Sequence, residues 1–387
     1  MRKLLAVSLG AVLVGLGCGG DDAGSSTDDA AGTDGASPFD GVSPGSDTAG
    51  TDTSTPGTDT GTPGTDTGSP GTDGGTPTPT VGGLFERPEP WTKDVTGVTK
   101  DARSDAIIAA LGSLGGWGAG ALKIDFSIPL FFADSSTPRQ SITAPSGGYC
   151  YGGPDCDTVP LSMPLPVGGN TEGSATYTCD TAANDCHVLV VEKTEKKLYE
   201  LYNSTKTGSG FTALGAFVWD LTKAYPDNER GDQCTSADAA GFPIAALMPT
   251  SDEVAAGEVK HAIRFILPNP RMKAKVYVHP ASHAGGPSST NANAPPYGVR
   301  FRLKAGFDET PYKASEKVII RALKKYGMLL SDGGNIAFTF ADDRTSTAKW
   351  ATLGVTASSF TKIAVTDFEV VDLSPEIAVT DSCVRNP

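Results

Sequence analysis

The residues best suited to chemistry are concentrated between Asp232 and Phe265, where Asp238, Asp252, Glu253, Glu258, His261 and Arg264 are set among Ala, Gly, Pro and aliphatic residues. Small residues let backbones approach closely, and polar groups among them must find partners or meet a ligand. Asp238, in a turn of small residues, and Glu258, just ahead of a strand, are the first candidate pair. Glycoside hydrolysis needs two such carboxyls, one kept protonated by its surroundings and one acting as nucleophile or base. The bland readings are a turn cap for Asp238 and a solvated helix end for Glu258. Asp252 and Glu253 follow Ser251 and read as helix-start acids favoured by the dipole.

Other candidates surround this pair. His261 and Arg264 have opposite parity on one expected strand and so face different sides. In Val299–Lys304, Arg300, Arg302 and Lys304 share one face, with Val299, Phe301 and Leu303 turned to the core. Such a row of cations suits uronate or sulfate groups on a sugar chain, or is an ordinary wet face. His283 is a candidate general base or sugar contact. It follows His279 by four residues, a zinc spacing on a helix, but Pro280 favours an extended turn and no third ligand is evident. His187 opens a hydrophobic strand and reads as a core histidine. Trp219, Tyr225, Tyr297 and Trp350 would stack on sugar rings or fill the core. Ser236 lies in no G-x-S-x-G elbow, and phosphate loops and dinucleotide fingerprints are missing. Neither a metal nor a cofactor is expected.

The elements that must position these groups are mostly strands. The run from His187 to Tyr202 places two β-branched or aromatic stretches around a short charged turn, which predicts a hairpin, and residues 211–221 add a third strand. Further strands are expected at 122–128, 261–267, 275–279, 299–304, 336–340 and 367–371. Helices are expected at 104–111, at Ser251, and from Ser315 to a stop at Gly327. Residues 83–100 read as a lead-in segment pinned by Phe85 and Trp91, and 133–186 as irregular and stapled by disulfides. Many strands, few helices and Gly/Pro turns predict a mainly β domain, a β-sandwich of jelly-roll kind.

Residues 1–18 have a basic start and a short apolar core, the pattern of a secretory signal. Val14-Gly-Leu-Gly-Cys18 resembles the lipobox of bacterial lipoproteins, although Gly15 and Leu16 depart from the usual Leu followed by a small residue. The resemblance implies acylation of Cys18, and Gly19 after it implies the outer membrane. Residues 19–82 hold eleven Asp and no Lys, Arg or Glu, with a seven-residue Thr/Asp/Pro/Gly unit recurring from Thr51. Such a segment cannot bury enough surface to offset its ordering entropy and is expected to be a disordered stalk.

Setting those eleven acids and the two N-terminal cations aside, the net charge of −14 leaves −5 on residues 83–387. That is no footprint for nucleic acid. Beyond Cys18 there are six cysteines, read as three disulfides. Spacing favours Cys150–Cys156 and Cys179–Cys186, which leaves Cys234–Cys383.

Leu198–Tyr202, Thr235–Ile244, Asp252–Phe265, Pro296–Lys304 and Leu323–Met328 resemble, as a set, a family of uncharacterised secreted bacterial proteins. The resemblance covers residues 180–372 and implies no particular reaction. The expectation is a lipid-anchored, extracytoplasmic domain acting on polysaccharide or a cell-surface glycan. Asp238, Glu258 and His283 would form the catalytic set, with Arg300, Arg302, Trp219, Tyr297 and His261 against the sugar. The alternatives are a lyase on uronate polymers and a non-catalytic carbohydrate-binding protein.

Overall fold

The structure is a computed structural model and describes residues 82–150, 154–380 and 382–387. The expected signal segment, Cys18 and the stalk through residue 81 lie outside the described residues. The early strands are β1 (Ile124–Asp125), β2 (Leu130–Ala133), β3 (Arg139–Thr143), β4 (Leu161–Pro164), β5 (Val188–Glu192), β6 (Lys197–Thr207) and β7 (Gly210–Asp220). The later ones are β8 (Ile263–Leu267), β9 (Val276–Tyr277), β10 (Arg300–Leu303), β11 (Met328–Gly333), β12 (Phe338–Thr339), β13 (Phe368–Val371) and β14 (Ile377–Ala378). Among the described residues five α-helices accompany them: α1 (Ser104–Ser113), α2 (Ile244–Leu247), α3 (Ser251–Ala256), α4 (Ala314–Lys325) and α5 (Trp350–Leu353).

The fold is mainly β, as expected. One six-stranded sheet runs β1-β12-β8-β11-β10-β13 and a second runs β2-β5-β6-β7-β3-β4, while β9 and β14 form a small ribbon. Each large sheet is mixed: β8 with β11 and β2 with β5 are parallel, whereas β5-β6-β7 is an antiparallel meander. Alternation decides the burial. Leu189, Val191, Leu198, Phe217 and Trp219 of the second sheet share one core with Ile263, Phe265, Phe301 and Phe338 of the first. Val188, Val190, Tyr199, Leu201 and Phe211 point the other way into a smaller core with Phe131, Ile142 and Met163. Each fully buried Phe or Leu contributes roughly 1.5–3 kcal/mol relative to exposure.

The segment from Cys234 to Pro249 ties the two sheets together. The Ala240 amide donates to the Ser331 carbonyl at 2.9 Å, and the Ala245 amide donates to Glu200 on β6 at 3.0 Å. Three disulfides join Cys150–Cys156, Cys179–Cys186 and Cys234–Cys383. They fit an oxidising, extracytoplasmic compartment. No helix among the described residues is long and apolar enough to cross a membrane.

Three local expectations are corrected. Residues 133–186 hold paired strands β3 and β4, whose mixed polar composition hides them. Strand β11 follows α4 at once, with Gly327 at φ +73° making the turn. The stretch expected at 122–128 keeps only Ile124 and Asp125 as strand. Helix α3 starts from Thr250: its Oγ1 accepts from the Glu253 amide at 3.2 Å, and Glu253 Oε2 accepts from the Thr250 amide at 2.9 Å. That reciprocal box satisfies two otherwise orphaned donors.

Candidate functional site

Charge is gathered around Arg264, which projects from β8 on the face opposite Ile263 and Phe265. Its Nε donates to Asp238 Oδ1 at 2.8 Å and its Nη2 to Asp332 Oδ2 at 2.9 Å. Its Nη1 donates to Thr339 Oγ1 at 2.7 Å. Nε and Nη2 lie on one edge of the guanidinium plane, so the two carboxyl groups stand side by side. Asp238 is fully buried and its Oδ2 has no hydrogen-bond partner. Burial lifts the Asp238 carboxyl to about 7 even though Arg264 pulls the other way. The Asp332 side chain keeps 20% exposure and is the member that reaches solvent. Its carboxyl is also raised by burial, against the same opposing charge. The backbone amide of Asp238 is in turn held by Ser236 Oγ at 3.0 Å, which locks the turn.

A second group adjoins the first. His187 Nε2 donates to the Ala237 carbonyl at 3.0 Å, and Nδ1 lies 2.6 Å from Glu172 Oε2. Burial alone would lower the imidazole, but the charge and hydrogen bond of Glu172 hold it up at about 9. Ser127 Oγ lies 3.1 Å from Glu172 Oε1 and 2.8 Å from Asp125 Oδ2, joining one more acid, Asp125, to the set. Glu200 of β6 is fully buried, accepting from Trp219 Nε1 at 3.1 Å, and burial lifts it to about 7. Donor atoms of Glu172, Asp185 and His187 lie within 4.8 Å of one another, close enough to share a cation. Asp155, Cys234 and Cys383 also converge, but there the sulfurs are joined in a disulfide and supply no thiolate.

The structure separates Asp238 from Glu258, correcting the expected pairing. Glu258 has a half-exposed side chain (51%), 3.5 Å from Lys260 and 3.7 Å from Lys325, while Asp238 is enclosed beside Arg264. The expected sugar-facing cations are corrected too. Arg300 is buried and donates to the carbonyls of Tyr326 and Pro90, both at 2.8 Å. Arg302 donates to the carbonyls of Val95, Thr96 and Val98 and to Glu369. The lead-in segment folds over that face of β10, so the row of cations ties down backbone carbonyls. Only Lys304 of the three is exposed, reaching the Thr366 carbonyl at 2.7 Å.

Trp219 and Tyr297 are wholly buried and offer no sugar platform. His261 is buried 3.4 Å from Glu253, with Nδ1 on the Ala262 carbonyl. His283 is half-buried and its Nδ1 meets the Ala239 carbonyl at 2.9 Å, at the back of the turn that carries Asp238. Of the expected residues, then, Asp238 alone lies in the Arg264 cluster. Asp332, Glu172 and Asp185 were not among the expected residues, while His187 is the buried, hydrogen-bonded core histidine that was expected. The one available signal was three ionisable groups, Asp180, Asp185 and His187, around a cysteine at the mouth of a strand.

Compared with known proteins, the chain matches no family model, no curated protein and no solved structure.

Proposed function

We propose that the chain is a lipid-anchored extracytoplasmic glycoside hydrolase whose carboxylate pair is Asp238 and Asp332. The observation that carries this reading is the placement of both carboxyls on one edge of Arg264, one enclosed and one reaching solvent. Asp238, lifted to about 7, is about half protonated at neutral pH and serves as the acid once bound substrate uncovers it. Asp332, at the open side, serves as nucleophile or base. Side-by-side carboxyls favour the short separation of a retaining pair, about 5–5.5 Å, over the wider gap that admits water in inverting enzymes. The lyase alternative loses support because Arg300 and Arg302 are spent on backbone carbonyls. The binding-platform alternative loses support because Trp219 and Tyr297 are enclosed.

The anchor belongs to the same proposal: acylated Cys18 and the repeat-bearing stalk would hold the domain off the outer membrane. The test is incubation of the full chain with a panel of neutral and acidic polysaccharides, scoring new reducing ends and unsaturated-product absorbance. Hydrolysis gives reducing ends without the absorbance. Asp332→Asn, which keeps an oxygen for Arg264, should lower the rate at least ~100-fold. Unsaturated products would replace this reading with the lyase. No cleavage across the panel, or an Asp332→Asn variant as active as wild type, would end it.

A further inference from the structure

We propose that Glu172, Asp185 and His187 form a binding site for one divalent cation of the Mn2+/Zn2+ class. Their donor atoms all lie within 4.8 Å of one another, the spread allowed to ligands sharing an ion through bonds of about 2.0–2.4 Å. His187 is only 2% exposed, and its Nε2–H is committed to the Ala237 carbonyl. An imidazole anchored through one nitrogen presents the other in a fixed direction, the arrangement usual for metal-bound histidines. Without an ion, Nδ1 donates its proton to Glu172 Oε2 at 2.6 Å, so a cation takes that nitrogen by displacing the proton, with Asp185 on the exposed side.

A separate observation points the same way. Ser127 bridges Asp125 to Glu172, Arg264 joins Asp238 to Asp332, and His187, beside Glu172 and Asp185, rests on the carbonyl of Ala237 next to Asp238, so five acids are set against the Arg264 guanidinium and the His187 imidazole. Asp238 is wholly buried there with an oxygen that no donor meets. Concentrating so much negative charge away from water is costly unless protons or a cation neutralise it. One imidazole nitrogen with carboxylate oxygens suits Mn2+ or Zn2+ better than Ca2+ or Mg2+, which prefer oxygen alone. Three protein donors also leave coordination positions open to water or a ligand oxygen.

This inference goes beyond the hydrolytic reading and does not depend on it, since the readout is binding. The full chain, treated with chelator and dialysed, is titrated with Mn2+ followed by loss of the free-ion paramagnetic signal, and with Zn2+ by calorimetry. One ion per chain is expected, together with a Tm that rises with ion concentration. Among the described residues, no hydrogen bond or ion pair ties the Asp185 side chain to the fold, so Asp185→Asn should match wild type in Tm without metal. It should bind at least ~10-fold more weakly. His187→Gln should lose binding altogether. A wild-type chain that binds neither ion, or an Asp185→Asn variant that binds equally, would overturn the proposal whatever happens to glycans.

Discussion

Replacing Arg264 by Met would leave Asp238 and Asp332 side by side without their cation. Breaking a buried ion pair from one side strands an uncompensated charge, so a loss of about 3–5 kcal/mol is expected, read from urea unfolding. Glu89 offers a pH test elsewhere. It is fully buried, its Oε2 accepts from the Tyr225 amide at 3.1 Å, and its Oε1 has no partner. Burial raises its carboxyl from 4.5 to about 8, the Tyr225 amide and Arg87 offsetting only part. Between those values the folded chain binds the extra proton. Its contribution to stability is therefore full below pH 4.5 and lost as pH rises through about 8. Glu89→Gln should flatten the fall in urea midpoint between about pH 5 and pH 8; unchanged slopes would show that Glu89 is ionised in the fold. At this scale the sequence singled out Asp238 and Arg264 as polar groups among small residues, and the structure puts the two in contact. The sequence could not pair them with Asp332, because that contact joins residues 68 positions apart.

Elements built from neighbouring residues were legible. The β5-β6-β7 meander follows from a period of two and short turns, and α4 from its apolar stripe and the glycine behind it. Strands β3, β4 and β11 were not, because their pairing partners, rather than their own composition, make them strands. The disulfides test how far the elements depend on long-range ties. Cys234–Cys383 spans 149 residues and Cys179–Cys186 only 7. By loop-closure entropy, replacing the first pair with Ala should cost about 4–5 kcal/mol and the second about 2–3. Equal losses in calorimetry would mean that local geometry, and not chain entropy, sets their worth. Gly298, just ahead of β10, has φ +82°, and an added Cβ would come within 1.9 Å of the Val278 carbonyl. Gly298→Ala should therefore lower stability by more than the ~1 kcal/mol typical of a strained backbone position.

At the scale of the whole molecule, the described residues form one mainly β body, its two large sheets joined through residues 234–249 and latched to the C-terminus by Cys234–Cys383. The proposed lipid anchor is tested at this scale. Cys18→Ser should move the chain from the membrane fraction to the soluble extracytoplasmic fraction, and retention in the membrane would remove the lipoprotein reading. Composition and local spacing by themselves determined a mainly β class, the three disulfide pairs and a body of low net charge, since each depends on residues close in sequence or on simple counts. Which charges meet was decided only in three dimensions. Arg300 and Arg302 look alike with Arg264 along their strands, yet the first two are covered mainly by backbone carbonyls, with the Glu369 carboxylate beside Arg302, and the third by two carboxyl groups. What covers a strand face comes from segments far away in the chain, and the charge of that cover decides whether a cation seals the fold or builds a site.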